Sequence, residues 1–304
     1  MKTKALAAVA LALMAMVGCT LTQSELRKNG LLPTVGGHAG EDGRTFMPKR
    51  CALKFMIVTK PVSDTVMSNR LWTVVDDQVL PDATREALAT NGLRTGVVTG
   101  ELPPEVQEVL NAPPPNRIDP ALVIIAGGEN TLVEMGASSP SLDLIVNRDG
   151  KAVGKVYDQA KGCLRLTPNY EGENGVSLRI VPELHHGPVK RSWSTVQGTT
   201  FDPKQLTMKD GQTEETYRDL AAELNLHPGQ VAVVGGRSDK PGSLGSFLFT
   251  ANEVNSDRLL QRVLFIWASR AEDADGTPTP DAESALPPGL KPVDPPEMPD
   301  APGE

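Results

Sequence analysis

Hydrophobic and polar residues alternate along many short segments of the chain, and this pattern predicts a protein built mainly of β-strands. Val176, Leu178 and Ile180 lie on one face of such a segment, and Ser177 and Arg179 point away from it, as in a half-buried antiparallel strand. Further strands are predicted at 52–59, 71–75, 93–99, 121–126, 142–146, 151–157, 164–168, 231–234 and 259–268. The last of these is apolar on both faces, which predicts a central strand or one covered by a partner.

Two short helices are predicted in the first half of the chain. Residues 81–90 begin with proline, carry spaced Ala and Leu residues, and stop at Asn91-Gly92, while residues 103–111 form the second helix. Together with the strands around them, these helices predict a small α/β domain at 51–115. A run of three prolines ends this domain.

Residues 116–270 predict an antiparallel β-domain. Arg148-Asp149-Gly150 is a turn signal between two alternating segments and predicts a hairpin there. Residues 214–226 fit both a helix face and a strand face, and the neighbouring strands favour a strand. The predicted fold class is therefore α+β and rich in β-structure, with a small α/β domain followed by an antiparallel β-domain.

The distribution of charge excludes nucleic-acid binding. The formal net charge is −8, and the segment 271–304 alone holds nine acidic residues and one lysine. The body of the protein is therefore balanced, with 29 acidic and 29 basic residues, and it carries no basic excess for a phosphate backbone. Because the segment 271–304 is also rich in proline and poor in core-forming residues, we predict a disordered, solubilising tail.

The N-terminus has the pattern of an export signal. Lys2 and Lys4 precede an apolar run at 5–17, which is too short to span a bilayer as an ordinary helix but suits the core of a signal peptide at 1–18. The run ends in Met16-Val17-Gly18-Cys19, which resembles the bacterial lipobox, with Met16 where that motif prefers leucine. A plain signal peptide with an incidental Cys19 is the alternative.

The lipobox resemblance implies where the protein is located. Cys19 would become the lipidated N-terminus of the mature chain and anchor it without a transmembrane helix. Thr20, in place of aspartate, implies the outer membrane, with the protein facing the periplasm. Residues 19–50 contain several glycines and no apolar period, so they predict a flexible linker between the anchor and the body.

If the protein is exported, its two remaining cysteines can be interpreted in two ways. Cys51 and Cys163 are the only cysteines besides Cys19. An oxidising compartment permits a disulfide between them, and two buried free thiols explain the same count. Two cysteines alone cannot form a zinc site.

Four segments in order resemble the C-terminal β-domain of bacterial secretins. They are GCLRLTP (162–168), NGVSLRIVPEL (174–184), GQVAVVGG with the following loop to PGSLGSFLF (229–249), and RLLQRVLFIW (258–267). The residues that carry the third segment are Gly235, Gly236, Pro241, Leu244, Gly245 and Phe249. The loop between Gly236 and Gly245 is shorter than in that family, and its Pro-x-Leu-Gly repeat is present once.

The resemblance implies an antiparallel domain that oligomerises or contributes to a pore. A pore made of strands needs two long hairpins with alternation over about ten residues each. The sequence shows no convincing pair of such hairpins. We therefore interpret 230–249 as a strand and loop that position the final apolar strand, rather than as a chemical site.

No residue pattern predicts catalysis, a metal site or a cofactor. His185 and His186 are adjacent, so on a strand they point to opposite faces; Glu183 shares a face with His185, but a third ligand is not evident. Ser243 lacks the G-x-S-x-G elbow of a nucleophile, and Gly127-Gly128-Glu129 lacks a phosphate-binding lysine.

Three functions remain as hypotheses. The first is a non-enzymatic lipoprotein of the cell envelope with a structural, assembly or protein-interaction role, whose partners are the membrane and other proteins or further copies of itself. The second is a secretin-type subunit of an outer-membrane secretion pore. The third is an exported hydrolase or small-ligand-binding protein, which needs a concave pocket that gathers His185 or Ser243 with acidic residues.

Overall fold

The computed structural model describes residues 38–39, 45–46, 49–118, 120–136, 138–148, 150–196, 205–253 and 256–271. The predicted signal peptide, Cys19, most of the linker and the acidic tail beyond Ala271 lie outside the described residues. The chain divides into two units at Pro48. In the first unit, strand β1 (His38–Ala39) pairs antiparallel with β2 (Thr45–Phe46).

Two antiparallel sheets form the second unit. Sheet 1 contains β3 (Arg50–Pro61), β4 (Leu93–Val98), β5 (Ala121–Ala126), β12 (Val231–Gly236), β13 (Thr250–Asn252) and β14 (Leu259–Arg270). Sheet 2 contains β6 (Thr131–Glu134), β7 (Ser139–Arg148), β8 (Lys151–Glu171), β9 (Gly175–Val196), β10 (Gln205–Thr216) and β11 (Ala222–Leu226). The order in sheet 1 is β4-β12-β14-β3-β5, and in sheet 2 it is β10-β9-β8-β6. The prediction of a β-rich α+β fold with antiparallel sheets is confirmed.

Sheet 1 is the middle layer because both of its faces are apolar. Leu264 and Ile266 of β14 belong to a core shared with sheet 2, and Val263 and Phe265 belong to a second core under the helices. Strand β14 lies between β12 and β3. The prediction of a central strand at 259–268 is therefore confirmed. Sheet 1 also draws strands from both sides of residue 115, where the sequence predicts a domain boundary.

Short helices cover the outer face of sheet 1. They are a π-helix (Val66–Arg70), α1 (Leu71–Val74) and α3 (Pro104–Leu110). Helix α2 (Asp82–Thr90), helix α4 (Leu244–Phe249) and a 3₁₀ turn (Arg218–Leu220) instead pack into the core shared with sheet 2. The predicted strand at 71–75 is wrong. Met67, Leu71 and Val75 recur every four residues and are all buried, so this segment uses helical spacing to face the sheet. Segment 214–226 is mostly strand, as predicted, with the 3₁₀ turn between β10 and β11.

Two long hairpins dominate sheet 2. Strands β7 and β8 pair from Ser139 opposite Ala160 to Arg148 opposite Lys151. Strands β9 and β10 pair from Glu183 opposite Thr216 to Val196 opposite Gln205, with an irregularity between Gly211 and Thr213. The sequence had not revealed a convincing pair of hairpins of this length.

Candidate functional site

The register of sheet 2 gathers polar side chains into two neighbouring cross-strand rows. The first row is Cys163, Glu183 and Thr216, and the second row is Lys161, His185 and Glu214. Residues opposite each other in an antiparallel ladder share a face, and so do residues two apart in one strand. All six therefore lie on one face of sheet 2, and Leu164 and Leu184 occupy the face that packs against sheet 1.

Glu183 is the centre of this group and is fully buried. Arg165 donates from Nε to Oε1 and from Nη2 to Oε2 of Glu183, the latter at 2.8 Å, and Thr216 donates to Oε1 at 3.1 Å. Burial alone would raise the pKa of Glu183, but the hydrogen bonds from Arg165, with smaller contributions from its other neighbours, outweigh it and lower that pKa. The side chain is thus held as a carboxylate inside the protein.

His185 and Glu214 complete the group of candidate ligands. His185 Nε2 lies 3.4 Å from Glu183 Oε2, and one ligand atom each from Glu183, His185 and Glu214 lie within 4.8 Å of one another. In the sequence, Glu183 shares a strand face with His185, but a third ligand is not evident. Glu214 supplies it from β10, because the β9–β10 register places Glu214 opposite His185.

Both cysteines of the body are buried free thiols, which is the second of the two alternatives set out for them. Cys51 belongs to sheet 1 and Cys163 to sheet 2. Burial raises the pKa of each thiol to about 11. Because the thiolate is the reactive form, neither thiol is activated as a nucleophile at neutral pH.

The other residues considered for catalysis do not join the Glu183 group. Ser243 caps α4, accepting a hydrogen bond from the backbone N–H of Ser246 and donating to the carbonyl of Lys240. A small, partly open gap between the two sheets is lined mainly by apolar side chains, and neither Ser243 nor His185 lines it. Of the two residues named for a hydrolase or ligand pocket, only His185 lies with acidic residues.

The residues of the secretin-like segment serve packing. A Cβ on Gly235 would come within 2.6 Å of the Trp72 ring, and one on Gly236 within 2.9 Å of the Gly245 carbonyl oxygen. Leu244 and Phe249 are fully buried on α4, whereas Pro241 lies in the exposed loop before it. The end of the segment 230–249, interpreted from the sequence as a strand and loop, is instead this short helix.

Among the described strands, β5 is an edge strand of sheet 1. It pairs with β3 along one side, and no other described strand pairs with its second side. Leu122 and Ile124 are 43% and 46% exposed on the same face of β5. The opposite edge, β4, is covered by Asp76, whose backbone exchanges two hydrogen bonds with Val97.

Among the described residues, no helix combines the length and the apolar character needed to cross a membrane.

Comparisons with known proteins do not identify a family. No protein-family model matches the chain, and no curated protein matches it. Among solved structures, the chain has a weak likeness to the InvG secretin domain beta-barrel from the Salmonella SPI-1 injectisome NC-base, at 10% sequence identity and a TM-score of 0.20. That match covers 85% of this chain and 68% of the other. A TM-score this low carries no argument about fold or function.

Proposed function

We propose that the protein is a non-enzymatic lipoprotein of the bacterial cell envelope that acts in protein assembly, and that its assembly surface is β5, which pairs with β5 of a second copy. The open edge of β5 is the observation that carries this proposal. The export signal and the lipobox resemblance at Cys19 support the location.

The composition of β5 suits pairing with another strand. Its sequence, ALVIIA, contains no charged residue, proline or glycine. Soluble proteins usually protect an edge strand with a charge, a proline, a bulge or a covering segment, because an unprotected edge offers its backbone groups to another chain. The exposed Leu122 and Ile124 add an apolar face that is buried when a strand is added there.

The opposite edge favours a closed dimer over a filament. Since Asp76 covers β4 near Val97, the β5 of one copy cannot extend sheet 1 of the next copy at that end. Two β5 strands can pair antiparallel about a twofold axis, and their uncharged residues then face each other without repulsion.

Ile124→Lys is expected to abolish self-association while leaving the fold intact. The lysine places a charge in the shared strand, but the site is 46% exposed, so the free energy of unfolding should change by less than about 0.5 kcal/mol. Chemical cross-linking of membranes should trap a dimer of the wild type and only monomer of the variant. Val153→Lys, which changes an exposed valine on β8, is the matched control and should still cross-link. If the two variants cross-link equally, β5 is not the assembly surface.

Cys19→Ser is expected to move the protein from the membrane to the soluble fraction, because the serine cannot accept the thioether-linked lipid. The measurement is fractionation of cells that express each form. Unchanged membrane association of the variant would refute lipid anchoring, and it would leave the test of β5 unaffected.

A secretin-type subunit is the second candidate, and the two long hairpins of sheet 2 favour it. Each provides paired strands of the length that a strand-built pore requires. This candidate requires many copies in a ring, so detergent extracts should contain heat-resistant rings. Extracts that contain only dimers or monomers would exclude it.

A further inference from the structure

We propose that Glu183, His185 and Glu214 form a binding site for a divalent transition-metal cation, with Zn²⁺ as the best match to their chemistry. Imidazole nitrogen and carboxylate oxygen are ligands that Zn²⁺ uses, and three protein ligands leave a fourth position for water. The three ligand atoms already lie within 4.8 Å of one another. Nothing in the proposed assembly role requires this site.

The distance between His185 and Glu183 is compatible with both side chains coordinating one cation. Their facing atoms, Nε2 and Oε2, are 3.4 Å apart. A charge-assisted hydrogen bond between such groups is shorter, at about 2.7–2.9 Å. Two ligands bound at about 2.0–2.1 Å in a tetrahedron are separated by about 3.3–3.4 Å, which is the distance found here.

The hydrogen bonds that Arg165 and Thr216 donate to Glu183 leave one lone pair of Oε2 for a cation. Oε1 accepts from Arg165 Nε and from Thr216 Oγ1. Oε2 accepts from Arg165 Nη2 at 2.8 Å and lies 3.4 Å from His185 Nε2. A carboxylate oxygen has two lone pairs, so Oε2 retains one.

Arg165 acts in this site as a positioning residue. Ligand side chains in metal sites are commonly held by hydrogen bonds from outer groups. Arg165 fixes the carboxylate of Glu183 through both oxygens and lies 3.4 Å from Glu214 Oε2.

Zinc titration of the untagged full-length protein tests the site. After removal of metal with a chelator, calorimetry with ZnCl₂ should give one tightly bound ion per chain. Loss of a residue that hydrogen-bonds a metal ligand typically weakens metal affinity by about 10–100-fold. His185→Gln and Glu214→Gln each remove a ligand itself, so each should weaken zinc affinity by at least that much. His185 is half-buried and Glu214 is exposed, so both variants should fold like the wild type, which thermal unfolding in the absence of metal checks.

His186→Gln is the matched control. It removes a neighbouring imidazole from the same strand, but His186 lies on the other face, against the ring of Tyr157. Zinc affinity should be unchanged in this variant. Zinc binding that is absent in the wild type, or that is equally strong in His185→Gln and His186→Gln, would overturn the proposal.

Discussion

Arg165→Met is expected to lower the free energy of unfolding by about 3–5 kcal/mol at neutral pH, because it leaves a fully buried carboxylate without its cation. Arg165 donates two hydrogen bonds to Glu183, and methionine replaces its length but neither bond. Urea unfolding measures the difference. Arg179→Met is the matched control in the same sheet, since its pair with Glu223 is exposed and should contribute less than about 1 kcal/mol.

The pH dependence of the Arg165→Met effect follows from Glu183. In the wild type the pKa of Glu183 is lowered, so its contribution to stability is present above the pKa of an unfolded glutamate and is lost as pH falls through the folded value. In the variant, burial without the guanidinium should raise that pKa. The deficit of the variant should therefore shrink as the solution is acidified. A deficit that matches that of Arg179→Met, or that does not change with pH, would contradict the assignment.

Gly245→Ala is expected to destabilise the protein by about 3 kcal/mol through steric overlap alone. A Cβ at this position would overlap the carbonyl group of Gly92 and come within 2.8 Å of the backbone nitrogen of Leu93. These are backbone atoms of the turn after α2, to which the Gly245 N–H is attached by a hydrogen bond to Asn91. A rotamer change cannot relieve the overlap, so α4 must move away.

The control for Gly245→Ala is Gly154→Ala in β8. A Cβ on Gly154 meets no atom within 4 Å, so its alanine variant should change the free energy of unfolding by less than about 0.5 kcal/mol. Thermal or urea unfolding of the two variants compares them directly. If Gly245→Ala is as stable as Gly154→Ala, the close approach of α4 to Asn91-Gly92 is not needed for folding.

Most strands can be predicted from the sequence because their two faces have different environments. The alternation at Val176, Leu178 and Ile180 reflects a core face and an outer face. The helical segment before Val75 was missed because the prediction began at residue 71 and left out Met67, which shows the spacing of four. The sequence indicated a strand and a loop at 230–249, whereas 244–249 forms a short helix.

The candidate site was only half evident from the sequence, since its third ligand depends on register. Glu183 and His185 are two residues apart, and period two places them on one face. Glu214 joins them through the β9–β10 register, which the alternation of side chains along each strand does not specify. The position of β5 at the sheet edge could not be predicted from the sequence either. The residues ALVIIA have the composition of a buried strand, and only the strand order places β5 at the edge.

The mass of the protein in solution tests the central claim, pairing of two copies through β5, most directly. Sedimentation of the Cys19→Ser form over a wide range of concentration should give twice the mass of one chain, and the mass of one chain when Ile124→Lys is added. A single-chain mass at every concentration, or a dimer that persists with Ile124→Lys, would contradict the account.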